Sequence, residues 1–593
     1  MRVLIIAVLL AWATSAQAQH TDETGRTHSA DFLPALSTMP RGIPTPDFGM
    51  ISASPLVEAT HCPNWPSSAT TECYYVDRTH DSATDTDNAN GYPNQPRLTI
   101  PTSLTTSGTA FLVKVAGSGY SISSSPTWTF TGTSGAQIYI VGDGTFPDFD
   151  GGATKRTITL IGAYTALIGM EWINVGFSFG TNASHVAISY NHFHGNTSTG
   201  GSSIGWGTDT TDTVVYRNYG HDNGPTIPLA SEADNHFAKP STSATNTTRL
   251  WYLANHVHDN SGDGFQCGSD PADADVAGWP SFIYLGGNVL HHNGENGIDL
   301  KACKDVIVSE NDVYDYRDSY APGDPGACMV THGLDSTPVG SDPDSGTGTL
   351  RAWFLFNRMH DCRIGIAATG QKDLKVIGNL FYGIRVDDDQ VGSYNYQAGS
   401  NTSGAAIHTR ANATSPVIQH NTVYDSSNGF NCETSQTCIV LDNIVSTARG
   451  ASAAFGWESA NNAGSTFASN LVQYGGNGMT FGNFATTYHA TLSVFNAAGG
   501  STVDCSSCLE DDPDFTDAAE ADFRIGASSP AVDAGSDTTT YYDLFESLYG
   551  ISIDYDVGGT VRPSSNADIG AYEYTAETPT SGGGARLRIR GEH

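Results

Sequence analysis

Lys301 closes the segment Gly294-Glu-Asn-Gly-Ile-Asp-Leu-Lys, two residues after Asp299 and six after Glu295, in a chain where lysine is scarce. An amine can take a proton from a substrate once positive neighbours or burial bring its pKa down from about 10.4. Without such neighbours, Lys301 and Asp299 form only a surface ion pair of small energetic value. Other acids precede similar short apolar runs. Asp234 lies three residues before Phe237, Asp263 two before Phe265, and Glu295 three before Ile298. With Asp299 they offer hard oxygen donors in a loose array, which suits Ca²⁺. Acids also settle in turns simply because they tolerate left-handed backbone.

These residues have to be positioned by short strands. An Asn-anchored repeat runs through the middle of the chain: Asn191-His-Phe-His-Gly-Asn, Asn218-Tyr-Gly-His-Asp-Asn, Asn255-His-Val-His-Asp-Asn and Asn288-Val-Leu-His-His-Asn. Asn311, Asn357, Asn379, Asn421, Asn443 and Asn470 continue it. A β-rich run precedes each Asn, as in Val186-Ala-Ile-Ser-Tyr and Phe282-Ile-Tyr-Leu, and a further short strand follows, often opened by Gly as at Gly264, Gly297, Gly365 and Gly429. Three strands per repeat cannot bury an inner face alone, so the coils must stack. Stacked Asn side chains bond to one another and to the backbone at the bend. The runs are too short and too β-branched for helical repeats.

Strand alternation then aims the side chains. Ile298 and Leu300 point inward, which turns Asp299 and Lys301 outward. On equivalent strands the outward set is read as Gln266, then Met329 and Thr331, Ala367 and Thr369, and His408 and Arg410. Coils stack about 4.8 Å apart, so Lys301 and Arg410 stand three coils, or about 14 Å, apart on one face. Small residues between them leave room for a chain of sugars, and His332 reaches the same groove. The histidines of the Asn-x-x-His turns (His194, His221, His258, His291 and His360) recur at one repeat position, which marks them as structural turn residues.

Composition bounds the setting. Arg2, the apolar run from Val3 to Trp12 and Ala16-Gln17-Ala18 read as a secretory signal over residues 1–18, with a mature chain from Gln19. No stretch is long and apolar enough for a membrane span. The ten cysteines suit an oxidising compartment. Cys62/Cys73, Cys432/Cys438 and Cys505/Cys508 are plausible local pairs, while Cys267, Cys303, Cys328 and Cys362 are not paired by sequence. A net charge of −35 argues against nucleic acid and anionic membranes as partners. The expected layout is a capping or irregular β region over 19–150, the solenoid over 151–500, a C-terminal cap over 501–575 and a flexible tail over 576–593. A secreted or periplasmic monomer is expected.

This pattern, over about residues 150 to 480, resembles the pectate-lyase-like superfamily of right-handed parallel β-helix proteins. The segment from Asp511 through Ser529-Pro-Ala-Val-Asp-Ala-Gly to Asp568-Ile-Gly-Ala-Tyr-Glu looks like the closing segment of many secreted bacterial β-helix proteins. The Gly294–Ala302 segment resembles the stretch of chondroitinase-B-like and alginate lyases, and of lysine-dependent calcium-binding pectate lyases, in which acids precede a catalytic lysine. The resemblance implies β-elimination on an anionic, uronate-containing polysaccharide. Lys301 is then the base, Asp234, Asp263, Glu295 and Asp299 hold Ca²⁺, and Arg410, His408 and His332 assist.

Two rival readings exist. An inverting hydrolase of the polygalacturonase type would use Asp263, Glu295 and Asp299, and Thr331-His-Gly distantly resembles its Gly-His-Gly. Its adjacent Asp pair is however replaced here by Asn296-Gly297. A non-catalytic glycan-binding or adhesive rod is the other, because sites rather than folds decide function. An Asp-Pro-His epimerase signature is absent, and no convincing serine triad, P-loop or dinucleotide fingerprint occurs.

Overall fold

A computed structural model describes residues 19–21, 27–29, 32–51, 56–62, 71–144, 146–225, 235–240, 246–268, 278–316, 326–331, 348–369, 371–385, 404–409, 415–432, 437–447, 453–457, 465–474, 480–484, 487–499, 505–536 and 539–575. The signal segment, Asp234, His332, Arg410 and the tail lie outside them. Three parallel ladders run the length of the molecule. In the first, Thr248–Leu253, Ser281–Gly286 and Lys304–Ser309 are successive strands. In the second, so are His256–His258, Val289–His291 and Asp312–Tyr316. In the third, so are Phe265–Cys267, Ile298–Leu300 and Ala327–Thr331. The chain is therefore a parallel β-helix, the all-β solenoid that the repeat predicts. Strands from Thr71 onward already stack in these ladders: Thr71–Asp77 pairs with Ala110–Ala116, and that with Ile138–Gly142.

The bend between the first and second sheets shows why Asn recurs. The residue before it sits in the left-handed region at Tyr190, Arg217, Ala254, Glu310, Phe356, His420 and Asp442, with φ between 50° and 56°. That conformation costs a non-glycine residue about 1 kcal/mol. A continuous Asn ladder offsets it. From Asn191 to Asn443 each Asn donates its backbone N–H to the side-chain Oδ1 of the next at 2.9–3.0 Å. Each side-chain amide also donates to a carbonyl of the preceding coil, as Asn288 Nδ2 does to Tyr252 O at 2.9 Å.

The interior is a stack of apolar rows. In the third sheet one inward row reads Ile298, Met329, Ile366, Ile407, Phe430 and Phe455, all buried. Burying each such side chain contributes about 1.5–3 kcal/mol. All five disulfides join described residues. The three local pairs, Cys62–Cys73, Cys432–Cys438 and Cys505–Cys508, form as spacing suggests. Cys267–Cys303 and Cys328–Cys362 link successive coils.

Segments outside the ladders cover two faces. Residues 33–51 run along the first sheet, where Trp251 Nε1 donates to Pro44 O at 2.7 Å and the Ser189 and Ser309 hydroxyls donate to Gly49 O and Arg41 O. The helix Thr539–Tyr549 continues this cover, with the Phe545 ring 5.0 Å from that of Trp353. The rest of the C-terminal segment folds back over the second sheet, with Phe523 against Tyr382 and Tyr424. Among the described residues, no helix is long and apolar enough to cross a membrane.

Candidate functional site

The third sheet carries the chemistry. Its register aligns Gln266 with Asp299, Asp299 with Val330, Val330 with Ala367, Ala367 with His408, and His408 with Asn431. This outward row corrects the sequence reading at one coil. Met329 and Thr331 share the inward rows of Ile298 and Leu300 and are fully buried, and Val330 takes the outward place. The reason is composition: Ala327–Thr331 reads Ala-Cys-Met-Val-Thr and is buried throughout, so no polar–apolar alternation marks its phase, which the register with Ile298–Leu300 sets. His408 is buried, three coils from Asp299, or about 14 Å at the usual spacing.

Asp263, Glu295, Asp299 and Lys301 do come together. Lys301 Nζ lies 3.4 Å from Asp299 Oδ2, and Gln266 Nε2 donates to the same oxygen at 3.4 Å. One coil back, Asp263 is completely buried in the turn before Phe265. Its Oδ1 accepts from the backbone N–H and the side-chain amide of Asn296 at 3.0 and 3.1 Å. Asn296 thus anchors the buried acid of the preceding coil. Gly297 opens the next strand because a Cβ there would stand 2.4 Å from Val313 Cγ1.

The sequence reading missed three members. His236, on the strand Asn235–Pro240, is buried with Nδ1 3.0 Å from Asp263 Oδ2. The Asp263 backbone N–H also lies 3.1 Å from this nitrogen, so the ring's tautomer selects between accepting from the amide and donating to the carboxylate. Lys239 Nζ, 3.4 Å from Nε2, favours donation: an ammonium bonded to Nε2 leaves the ring proton on Nδ1. Burial by itself would push Asp263 up. The His236 hydrogen bond, the Lys301 charge and the Asn296 hydrogen bond hold it below the usual carboxylate range. Lys155 donates to Ser202 O, and Ser202 pairs in register with His236. Burial brings the Lys155 ammonium down to about 8. The available signal was Lys239, three residues after His236 on one strand, in a chain poor in lysine.

His236, Asp263 and Glu295 each bring a ligand atom within 4.8 Å of the others. Calcium takes about six to eight oxygens. Here Asp263 is engaged by Asn296 and His236, Asp299 by Gln266 and Lys301, and the third member of the close group is an imidazole. These described residues do not make an oxygen cage for calcium. What they do make is a buried acid–imidazole–lysine relay beside a half-buried lysine, at a place where an uncompensated charge would be costly.

The ladders and this site define a parallel β-helix with a polar cluster on its third sheet. No family model matches the chain, and no curated protein matches it. Among solved structures it is similar to the Dettilon tailspike protein, at 15% identity and a TM-score of 0.36 over 69% of this chain and 63% of that one. It is also similar to pectate lyase Pel9A, at 13% identity and a TM-score of 0.32 over 86% of this chain and 97% of that one. A third is an alginate lyase from Paenibacillus sp. str. FPU-7, at 11% identity and a TM-score of 0.27 over 72% and 100% of the two chains. The chain thus spans less than two thirds of the tailspike's length. These are likenesses of fold, which the strand ladders establish independently.

Proposed function

We propose that this is an extracellular carbohydrate-active protein, and specifically a lyase that cleaves a uronate-containing polysaccharide by β-elimination. The observation that carries the reading is the gathering of Lys239, Lys301, His236 and three carboxylates on adjacent coils of the third sheet, beside coils whose outward row holds only Val330 and Ala367. Lys155, Lys239 and Lys301 are three of the chain's seven lysines, and their local charge counters a net −35 where an anionic sugar would bind.

In this reading Lys301, once it has lost its ammonium proton to solvent, accepts the C5 proton of the uronate. The electrons of that bond form the C4–C5 double bond, and the C4–O bond to the leaving sugar breaks, its oxygen taking the proton from the Lys301 ammonium so formed, which restores the amine. Asp299 positions the Lys301 amine, and Lys239 neutralises the uronate carboxylate. Disulfides throughout the coils fit an oxidising compartment.

The test is incubation of the purified protein with pectate, alginate, chondroitin and related polymers, with Ca²⁺ and with chelator. Ultraviolet absorbance of the unsaturated product is followed beside a reducing-end assay. Both signals are expected to rise, and both to vanish in Lys301→Ala. If the loss falls on Lys155→Ala instead, the base has been misassigned. Reducing ends without unsaturation would overturn elimination in favour of hydrolysis. No product from any polymer, with retention on a glycan array, would replace the enzyme with a binding protein.

A further inference from the structure

The outer side of the second sheet holds a different cluster. In register, His194, His221, His258 and His291 follow one another, with Tyr314 and His360 below them. The rings stack with centroids 4.8–5.4 Å apart and planes within 8° from His194 to His291. Stacking accounts for this column. It does not account for the diagonal contacts to the neighbouring column of His192, Tyr219 and His256.

There His256 Nε2 points at His291 Nε2 from 3.0 Å. Two imidazole nitrogens can share one proton at that separation, or one cation. On a tetrahedral ion with metal–nitrogen distances of about 2.0–2.1 Å, two ligand nitrogens stand about 3.3 Å apart. His258 adds a third ring nitrogen, and the three ligand atoms lie within 4.8 Å of one another.

The groups behind these rings are those that orient metal-bound imidazoles. His258 Nδ1 is 2.6 Å from Asp259 Oδ2. His291 Nδ1 is 2.9 Å from His292 Nδ1, and His292 Nε2 is 2.7 Å from Asp315 Oδ2. A carboxylate behind the ligand fixes the tautomer and raises the basicity of the outward nitrogen. His256 and His291 are only half-buried, which leaves a way in. The group Glu171, His192 and His194, higher in the same columns, supplies a contrast. There a carboxylate already occupies the shared position, with Glu171 Oε1 2.9 Å from His194 Nε2 and 3.4 Å from His192 Nδ1.

We propose that His256, His258 and His291 bind one divalent transition ion of the imidazole-preferring kind, such as Zn²⁺, clamping adjacent coils of the second sheet. The site lies on a different sheet from the lysine cluster and takes a different class of ion from the hard cation an oxygen array would hold.

The experiment is titration of the chelator-stripped full chain with Zn²⁺, in excess Mg²⁺ so that surface carboxylates are occupied, with Co²⁺ absorption reporting a four-coordinate site. One equivalent of Zn²⁺ is expected, with a rise in Tm. Both should be lost in His256→Gln and His291→Gln and kept in His360→Gln, with circular dichroism confirming the fold. On the unmutated chain, Zn²⁺ should protect His256, His258 and His291 from carbethoxylation, mapped by mass spectrometry. This readout holds even if a variant fails to fold. No uptake in the presence of Mg²⁺, uptake unchanged in His256→Gln and His291→Gln, or protection at other histidines would each overturn the site.

Discussion

On the outer side of the second sheet one residue type recurs from coil to coil, His194, His221, His258 and His291, whereas the outer row of the third sheet reads Gln266, Asp299, Val330, Ala367, His408 and Asn431. Repetition places like rings one coil apart, so each copy stacks on its neighbours, and what sets His258 and His291 apart is the adjoining His256. The third sheet changes at each step. Its charged residues therefore gather in one place, where Asp263 is buried entirely and must be compensated by residues of two neighbouring coils. In a solenoid, the row that repeats builds the rod, and the row that breaks the repeat is where a specific reaction can be held.

Exchanging the roles of the two rows is the sharpest way to break this comparison. Lys301→Ala should lower turnover by about 10²–10⁴-fold, the range of a general base, with a fall in Tm from the lost Asp299 ion pair far too small to account for it. His221→Ala should leave turnover unchanged and lower Tm, because it opens a gap in the stacked column. Steady-state kinetics and thermal denaturation of the same two proteins decide the matter. The reverse pattern would mean that the repeating row is the working one.

Stability predictions sharpen the contrast between rod and site. Removing Cys267–Cys303, with its sequence separation of 36 residues, should cost about 4 kcal/mol in the chain-entropy account, seen as a lower urea midpoint for the double Ser variant. Asn288→Ala strips partners from the backbone N–H and side-chain amide of Asn255 and from Tyr252 O. Buried groups left unsatisfied cost about 1–3 kcal/mol each, so a total loss of about 3 kcal/mol is expected by the same measurement.

Two acids should respond to pH with opposite signs. Burial would raise Glu171, but its hydrogen bonds to His192 and His194 hold it well below the usual carboxylate range. Its contribution is present above its unfolded pKa and is lost as pH falls toward its folded value, so Glu171→Gln should flatten the acid limb of the stability curve. Glu573, beside Arg562, is pushed up to about 7 by burial. Its folded form holds a proton that the unfolded chain releases, so stability should fall as pH rises from 4.5 towards 7. That slope should disappear in Glu573→Gln. Denaturation midpoints across pH read both.

The rod was legible in the sequence and the site only partly. The Asn spacing, the inward Ile298 and Leu300 and the outward Asp299 and Lys301 follow from a period of two and from a polar residue that must be satisfied at a bend. The three local disulfides follow from proximity along the chain. Only the tertiary structure decided which strand faces which. Coil-to-coil neighbours such as Asp263 and Asn296 are 33 residues apart in sequence, and the segments between anchors vary in length. His236 therefore reaches Asp263, and Lys155 the strand residue beside His236, only through coil stacking, as Cys267 reaches Cys303. Alternation fixes the side of a strand a residue occupies. Which residues it meets there is fixed by stacking, through hydrogen bonds between coils that a single coil's sequence does not contain.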